Sequence, residues 1–315
     1  MNKGRRGIHH RGFFTAFPPV LVLAASLVLA ASCSSAPKRP VEVYVLQTMT
    51  EKQLELANRE ADRGNYRGAL ELLVEARRLA VSTDRPVLRI RTSLSQGNVL
   101  AALGRTGEAE ALWRSAEAEA REAGDAVLAA ACRVYLARNA LITAGAEDKA
   151  AAAGETLDRV QREAETLVSD RLLCALGWTV IGLAEKELGR YAEAEGSILN
   201  ALTIHEEDRY LEQAAYDWYL IASIRSVAGL YGDAIAALDA ALGFDRRAEN
   251  THGLAMDWAA RGEVYRKMGD TERAAEAWRR SAEILRTLDH EEQAAAMENR
   301  ADEAQSPGTG TEYAD

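Results

Sequence analysis

The chain has 315 residues, of which 48% are hydrophobic, 27% charged and only 6% aromatic. This composition suits a protein with a packed core and excludes a globally disordered chain. The net charge is −10 at pH 7, and an acidic protein is repelled by phosphate backbones, so nucleic acid is excluded as an expected partner.

The N-terminal segment, 1–32, has the pattern of a secretory signal peptide. An unbroken run of twelve apolar or small residues, 20–31, follows a basic head that contains Lys3, Arg5, Arg6 and Arg11. Because about 20 apolar residues are needed to span a bilayer, this shorter run predicts an export signal rather than a membrane span. Ordinary secretion is the expected route, and the pair Arg5–Arg6 leaves twin-arginine export as the alternative.

Cys33 stands at the end of the apolar run, directly after three small residues. This arrangement resembles the lipobox of bacterial lipoproteins, in which the chain is cut before the cysteine and the cysteine then carries acyl chains. Ala30 departs from that family, which prefers leucine at this position, so a plain signal peptide with an incidental cysteine is the alternative. The resemblance implies lipidation of Cys33, and Ser34 favours the periplasmic face of the outer membrane.

Residues 33–42 are mostly small and polar and include two prolines, a composition typical of a flexible tether. Each buried CH₂ of an acyl chain contributes about 0.8 kcal/mol, and one chain alone anchors a protein only marginally. Several chains on one cysteine would therefore hold the protein firmly at the membrane.

Between residues 43 and 305 a short glycine-containing phrase recurs at a fixed spacing. Its copies begin at Gly64, Gly104, Gly189, Gly229 and Gly269. The period is about 40 residues, which is typical of helical repeats. The interval from Gly104 to Gly189 corresponds to two periods, so it predicts a hidden copy that turns at Gly145. A unit of this length cannot bury its apolar face alone, so stacked neighbours must form the core together.

On each side of the glycine, apolar and small residues recur three and four positions apart, which predicts two helices joined by a turn. The glycine can take the left-handed conformation that ends the first helix. The last copy shows the consensus positions most fully, with Trp258, Gly262, Tyr265, Gly269, Ala274 and Trp278. At these positions the chain resembles the tetratricopeptide repeat (TPR) family.

The resemblance implies an all-α fold, a right-handed α-solenoid of about six helix–turn–helix repeats. A polar capping helix is expected over 289–305, and residues 306–315 are expected to be a disordered tail. The usual TPR is shorter, at about 34 residues, and the extra length of each repeat is expected in longer second helices and longer connections. The consensus tryptophans are expected in the core, at Trp113, Trp178, Trp218, Trp258 and Trp278.

Cys132 and Cys174 fall on predicted helices of adjacent repeats. A disulfide needs Cα atoms closer than about 7 Å, whereas equivalent positions on stacked helices are about 8–10 Å apart. Two reduced, buried thiols are therefore the favoured interpretation, and a disulfide bridge is the alternative.

In the TPR family the first helix of each pair lines a concave groove that binds peptides. Six positions before the turn glycine lie three asparagines, Asn58, Asn98 and Asn139. The resemblance implies that their amides grip an extended peptide backbone, because an amide both donates and accepts hydrogen bonds. Asparagine is also common at this position of the family, so a purely structural role is the alternative.

Further residues on the same face are apolar or aromatic. They form the predicted floor of the groove, or else they pack against neighbouring helices, and they are Leu54, Leu94, Tyr135, Tyr216 and Tyr219. Tyrosine suits a binding surface because it joins a large apolar area to a polar tip.

The sequence contains no catalytic constellation, phosphate loop or metal-ligand motif, so it predicts no enzyme, no metal and no cofactor. The predicted function is that of an envelope-anchored TPR lipoprotein, a non-enzymatic adaptor or scaffold. Its partners would be proteins or peptides, in an outer-membrane assembly, secretion or cell-wall complex. The alternative is a small-molecule-binding or accessory subunit of a periplasmic transporter, which predicts an enclosed cavity near the third repeat.

Overall fold

A computed structural model of the chain describes residues 44–306, so the predicted signal peptide, Cys33, the predicted tether and residues 307–315 lie outside the described range. Within this range the chain forms thirteen α-helices and no strand. In chain order they are α1 (Val45–Asp62), α2 (Tyr66–Ser82), α3 (Pro86–Ala102), α4 (Thr106–Glu122), α5 (Ala126–Thr143), α6 (Lys149–Leu167), α7 (Arg171–Glu187), α8 (Tyr191–Glu207), α9 (Leu211–Val227), α10 (Tyr231–Ala248), α11 (Thr251–Lys267), α12 (Thr271–Arg286) and α13 (Glu291–Gln305).

The helices stack as six consecutive pairs, α1–α2 to α11–α12, and α13 packs on α12 as a terminal helix. Each helix contacts chiefly its neighbours in the chain. The first helices of successive pairs also touch one another, at α1 with α3, α3 with α5, α5 with α7, and α9 with α11. The all-α repeat solenoid predicted from the sequence is confirmed, and its first helices form a common inner layer.

The turn glycines end the first helices as predicted. Positive φ angles between +73° and +79° occur at Gly64, Gly104, Gly189, Gly229 and Gly269. This left-handed conformation is far less costly for glycine than for residues with a Cβ. Several second helices are then followed by a left-handed residue that is not glycine, at Asp84, Arg209, Glu249 and Asp289.

Side chains cap the N-terminus of five helices, α2, α5, α7, α11 and α12. In each case an Asn or Asp oxygen accepts a hydrogen bond from a backbone N–H in the first turn, and these caps are Asn65, Asp125, Asp170, Asn250 and Asp270. Such a cap contributes about 1 kcal/mol to helix stability. The caps and the left-handed turns together fix where successive helices begin and end.

The third pair is the hidden copy, and its turn differs from the predicted one. Gly145 does not have a positive φ angle. Instead α5 ends at Thr143, Ala144 is extended, and the chain reaches α6 through the longer connection 144–148. The register that the sequence analysis counted back from Gly145 is therefore wrong by one residue.

The extra length of the repeat lies in both helices of each pair. First helices have 17 or 18 residues, and second helices have 16 to 19. Most connections are only three residues, such as 103–105 and 188–190. The expectation of longer connections was wrong, because the chain lengthens its helices and so widens the contact between neighbouring repeats.

Glycines on first helices allow the two helices of a pair to approach closely. A Cβ built on Gly182 would lie 2.6 Å from Cδ1 of Ile198, and one on Gly262 would lie 2.6 Å from Nε1 of Trp278. The indole of Trp278 is buried and donates a hydrogen bond to the carbonyl of Ala259 (3.1 Å).

The tryptophans divide into two groups. Trp113 and Trp278 are buried as expected of core residues. The other three are only partly buried, at Trp178, Trp218 and Trp258. The prediction that all five lie in the core therefore holds fully for two of them.

Neither Cys132 nor Cys174 forms a disulfide within the described residues. Cys132 is buried on α5, and burial raises the pKa of its thiol to about 12. Cys174 is half-buried on α7. The favoured interpretation of reduced thiols is confirmed for this range, whereas full burial holds only for Cys132.

Helix α5, Ala126–Thr143, is apolar enough by length and composition to cross a membrane, with a mean hydropathy of 1.3. Half of it is buried inside the solenoid, between α4 and α6. This burial is typical of a core helix, which has the same apolar composition.

The solenoid curves so far that its first and sixth pairs meet. Tyr66, at the start of α2, packs edge-on against His252 on α11, with ring centroids 6.3 Å apart. A Cβ on Gly64 would lie 2.6 Å from Cδ2 of His252 and 3.0 Å from Cε1 of His290. The concave side is therefore bounded by both ends of the repeat array.

Candidate functional site

The concave side holds a partly open cavity of about 480 Å³, which we call the central cavity. Five of the six helix pairs contribute to its walls, from Asp62 at the end of α1 to Asp257 on α11. Its volume lies within the range of about 300–1,000 Å³ that is common for sites of small ligands. It is therefore large enough for a small molecule or a few side chains of a partner.

One wall of the central cavity is aromatic. Tyr216 and Tyr219 lie three residues apart on α9, so their side chains point to the same side of that helix. Their rings stack with centroids 6.2 Å apart and planes only 12° from parallel. Tyr66 and His252, which join the two ends of the solenoid, also line the cavity.

The walls of the central cavity also carry four carboxyl groups, which belong to Asp62, Glu212, Asp245 and Asp257. Asp245 is 3% exposed in the last turns of α10, and Asp257 is 2% exposed on α11. Among the described residues that line the cavity, Arg138 is the one lysine or arginine. The cavity walls thus carry more acidic than basic groups.

The carboxylate of Asp245 is held by the turn between α10 and α11. Its Oδ1 accepts a hydrogen bond from Nδ2 of Asn250 (2.8 Å), and Oδ1 of Asn250 accepts one from the backbone N–H of Gly253 (3.0 Å). A Cβ on Gly253 would overlap the carboxylate of Asp245. The carboxylate of Asp245 can therefore occupy this position only because Gly253 has no side chain.

The carboxyl group of Asp257 has fewer hydrogen-bond partners than that of Asp245. Its Oδ2 is buried and accepts no hydrogen bond from any donor in the described range. Burial, and next the neighbouring carboxylate of Asp245, raise the pKa of Asp257 to about 9. At neutral pH this carboxyl group consequently keeps its proton.

Two other carboxyl groups of the cavity are also affected by burial. Burial, followed by the nearby Glu212, raises the pKa of Asp62 to about 6. Burial likewise raises the pKa of Asp245 to about 6, against the hydrogen bond from Asn250. The cavity therefore loses negative charge when the pH falls below about 6.

His252 adds no positive charge to the cavity at neutral pH. Burial, and then the neighbouring His290, lower the pKa of its imidazole. The ring centroids of His252 and His290 are 5.9 Å apart. The neutral imidazole of His252 therefore acts mainly as a packing partner for Tyr66.

Three of the residues that were predicted to line a groove are part of the wall of the central cavity. Asn98, Tyr216 and Tyr219 all line the central cavity. Asn98 is half-buried, and its Oδ1 receives no hydrogen bond within residues 44–306. Its role in binding stays a prediction.

Other predicted groove residues lie elsewhere. Leu54 and Leu94 belong to the hydrophobic core. Asn58 is exposed and is not part of the cavity wall. Tyr135 stacks on Trp113, with ring centroids 5.6 Å apart and planes 13° from parallel, and burial raises its pKa. Leu54, Leu94 and Tyr135 therefore pack between helices, whereas Asn58 does not.

Asn139 was assigned to the groove through the register that was counted from Gly145. Helices α3 and α5 begin at Pro86 and Ala126, and from these starting points the equivalent of Asn98 is Arg138. Arg138 does line the cavity, whereas Asn139 is buried, with 7% of its surface exposed. The row of three asparagines is therefore not formed, because the third pair lacks a glycine turn.

The buried acid pair was missed by the sequence analysis, although a signal for it exists. Asp245 and Asp257 follow His205 and Asp217 at a distance of one repeat. His205 and Asp217 form a buried contact, with Nδ1 and Oδ2 2.6 Å apart. Aligning the copies along their full length, rather than at their turns alone, reveals this pair of positions.

No protein-family model matches the sequence, and no curated protein matches it. Among solved structures, a Rap protein complexed with competence and sporulation factor is 17% identical. The match covers 82% of this chain and 75% of that protein, with a TM-score of 0.54.

Two further structures are more distant. Aspartyl phosphate phosphatase F from Bacillus subtilis is 13% identical over 90% of this chain and 75% of its own, with a TM-score of 0.46. A tetratricopeptide repeat protein from Parabacteroides merdae is 17% identical over 82% and 94%, with a TM-score of 0.35. At these identities the likeness concerns the fold, which is that of a TPR-like helical solenoid.

Proposed function

We propose that this chain, a TPR-like solenoid, is a non-enzymatic binding protein of the bacterial cell envelope that receives part of a protein or peptide partner in its central cavity. The observation that supports this most is the cavity itself, whose walls come from five of the six helix pairs. A partner that contacts all of them would hold the curvature of the solenoid in place.

The size of the cavity limits what can enter. About 480 Å³ accommodates a few side chains or a chain terminus, but not a folded domain. The similarly folded Rap protein was solved as a complex with competence and sporulation factor. We therefore propose that this chain binds a short segment of its partner.

The proposal includes a lipid anchor at Cys33, with residues 33–42 as a tether and the solenoid on the periplasmic side of the outer membrane. It rests on the apolar run 20–31 and the small residues before Cys33. Tethering confines the protein near membrane partners, which raises their effective concentration. An adaptor or scaffold in an outer-membrane assembly, secretion or cell-wall complex would benefit from that confinement.

A second candidate function is small-molecule binding, as an accessory subunit of a periplasmic transporter. It is favoured by the contact between Tyr66 and His252, which bounds the cavity at the two ends of the solenoid. For this function the sequence predicts an enclosed cavity near the third repeat, whereas the central cavity is partly open. Arg138 of that repeat does line it, but most of the lining residues belong to the first, fifth and sixth pairs.

Site-specific photo-crosslinking of the membrane-bound protein tests the proposal. A crosslinking residue at Tyr216, which lines the cavity, is compared with one at Val74, which is 56% exposed outside it. We expect a discrete partner to be captured from position 216 and not from position 74. Identical products from both positions, or none from position 216, would contradict a role of the cavity in partner binding.

The anchor is tested separately by metabolic labelling with palmitate. The wild-type protein should incorporate the label and fractionate with outer membranes, whereas Cys33→Ala should do neither. Labelling that is retained by Cys33→Ala would rule out acylation at this residue.

A further inference from the structure

The repeat places two different pairs of side chains at equivalent positions. His205 on α8 and Asp217 on α9 form the first pair. Asp245 on α10 and Asp257 on α11 stand one repeat further along the chain and form the second. The backbone environment is repeated, but the imidazole of the first pair is replaced by a carboxyl group in the second.

The first pair combines a base with an acid, although Oδ1 of Asp217, like Oδ2 of Asp257, is buried and accepts no hydrogen bond within residues 44–306. Nδ1 of His205 lies 2.6 Å from Oδ2 of Asp217, and both residues are at most 5% exposed. A buried carboxylate needs such a partner, because removing it from water without compensation costs several kcal/mol. The imidazole of His205 and the carboxyl group of Asp217 therefore link helices α8 and α9.

The second pair lacks the internal base. Asp245 is held by Asn250 and shares a hydrogen bond with the carboxyl group of Asp257. Oδ2 of Asp257 is buried and accepts no hydrogen bond from the residues that the structure describes. Unlike the first pair, the second lines the central cavity. The group that would satisfy Asp257 can thus enter from outside the chain.

The surroundings of Asp257 favour a positively charged group. Glu212 and Asp62 add two further carboxyl groups to the wall. Tyr216 and Tyr219 provide stacked aromatic faces, and such faces attract ammonium and guanidinium groups. Arg138, on the third pair, is the one basic side chain among the described lining residues and leaves the walls with an excess of acid.

A metal ion fits this site less well than an organic cation. Within residues 44–306 no three histidine, cysteine or carboxylate side chains are arranged to hold a metal. The stacked tyrosines would offer little to a metal ion but suit an alkylammonium or a guanidinium group.

We propose that the central cavity binds an organic ammonium or guanidinium cation at Asp245 and Asp257, where a nitrogen of the ligand pairs with the buried carboxyl groups as Nδ1 of His205 pairs with Asp217. The inference rests on the proposed binding function and specifies the chemistry of the ligand. The cation is either a free amine or a lysine or arginine side chain of a peptide, and these two sources share the same recognition.

Binding of the cation is coupled to release of a proton. Burial and the neighbouring Asp245 raise the pKa of Asp257 to about 9, against the opposing charge of Arg246 on α10, so without a bound cation this carboxyl group is protonated at neutral pH. A cation placed beside it favours the ionised form and lowers that pKa. The proton leaves Asp257 for the buffer as the cation binds.

Calorimetric titration of the full chain tests the inference with two probes. The first is butylguanidinium, and the second is an acetylated, amidated pentapeptide with a central arginine among glycines. Saturable binding of either probe supports the inference, and the probe that binds identifies the source. The same peptide with neutral citrulline in place of arginine should not bind measurably.

Variants of the pair locate the site. Asp257→Asn removes the carboxyl group that ionises when the cation binds, with little change of shape, and Asp245→His restores the combination found in the preceding repeat. Each should weaken binding by about tenfold to a hundredfold, as expected for a lost charged hydrogen bond. Asp158→Asn makes the same replacement at an exposed position on α6 outside the cavity and should leave binding unchanged.

Repeating the titration in buffers with different ionisation enthalpies measures the released proton. We expect about one proton per bound cation for the wild type at about pH 7.5 and none for Asp257→Asn. Equal binding of the arginine and citrulline peptides, unchanged affinity of Asp257→Asn, or the absence of saturable binding by both probes would each overturn the inference. A discrete partner crosslinked at position 216 would then still support the proposed function.

Discussion

The ring of Tyr66 meets the ring of His252 almost perpendicularly, with centroids 6.3 Å apart, although the two residues belong to the first and sixth helix pairs. Gly64, two residues before Tyr66, lies directly against His252. This contact bounds the central cavity and depends on the curvature of every pair between the two ends.

Gly64→Ala is expected to disrupt this contact. Gly64 has a φ of +76°, and a Cβ there would lie 2.6 Å from Cδ2 of His252. The variant should lose about 1–2 kcal/mol from backbone strain and should also show a larger radius of gyration in small-angle X-ray scattering.

Gly104→Ala is the matched control for that variant. Gly104 has nearly the same backbone conformation, with φ +75°, but its Cβ would meet no atom within 4 Å. It should lose a similar amount of stability without a change in scattering. If both variants scatter like the wild type, the contact between Tyr66 and His252 does not control the curvature.

Gly262→Ala is expected to destabilise the sixth pair. The added methyl group would overlap the buried indole of Trp278, and overpacking of this kind costs about 1–3 kcal/mol. Gly196→Ala is the control, because Gly196 is exposed within α8 and its Cβ would meet no atom within 4 Å. That change should stabilise the protein by about 0.5–1 kcal/mol in urea unfolding. Equal effects of the two changes would argue against close packing at Gly262.

Asp257 should make the free energy of unfolding fall as the pH rises towards about 9. Its pKa in the folded protein is about 9, above the value of an unfolded chain, so the folded form binds a proton that the unfolded form has lost. The contribution is complete below pH ~4 and disappears as the pH rises through ~9. Asp245 and Arg246 on α10 and Tyr219 on α9 are the titratable or charged groups that interact with Asp257.

Asp257→Asn should accordingly flatten the decline of unfolding free energy between about pH 7 and 9. This window separates Asp257 from Asp62 and Asp245, whose pKa values are about 6. Urea titrations at several pH values measure the slope, and Asp158→Asn serves as the control that should keep it. An unchanged slope in Asp257→Asn would mean that another group carries the pH dependence.

His205→Ala is expected to destabilise the solenoid by about 1–3 kcal/mol, since it leaves a buried oxygen of Asp217 without its partner. Adding Asp217→Leu should recover part of the loss, because the unpaired carboxyl group is then removed too. Thermal unfolding of the single and double variants measures this coupling. Losses that simply add would show that His205 and Asp217 do not act as a pair.

Much of the fold could be predicted from the sequence because its determinants are local. A glycine such as Gly189 ends a helix through its own backbone conformation, so its recurrence indicated the number and length of the repeats. Gly182, opposite Ile198, likewise allows two adjacent helices to cross closely because it has no side chain. These relations need only the spacing of residues within one repeat.

The composition of the cavity could not be derived in the same way. Tyr66 and His252 meet because small rotations between neighbouring pairs add up over the whole array, and no local pattern encodes that sum. Asn139 was misplaced because the third pair turns without a left-handed glycine, so counting from Gly145 shifted the register by one residue. Arg138 was missed for the same reason.

The meeting of Tyr66 and His252 also limits how such a gene can evolve. Repeat proteins commonly grow and shrink by duplication or deletion of whole units, since each unit contacts only its neighbours. In this chain the loss or gain of one whole repeat would separate Tyr66 from His252 and open the central cavity at that contact. Descendants that keep the central cavity must therefore keep all six helix pairs. They can still vary by substitutions within each pair.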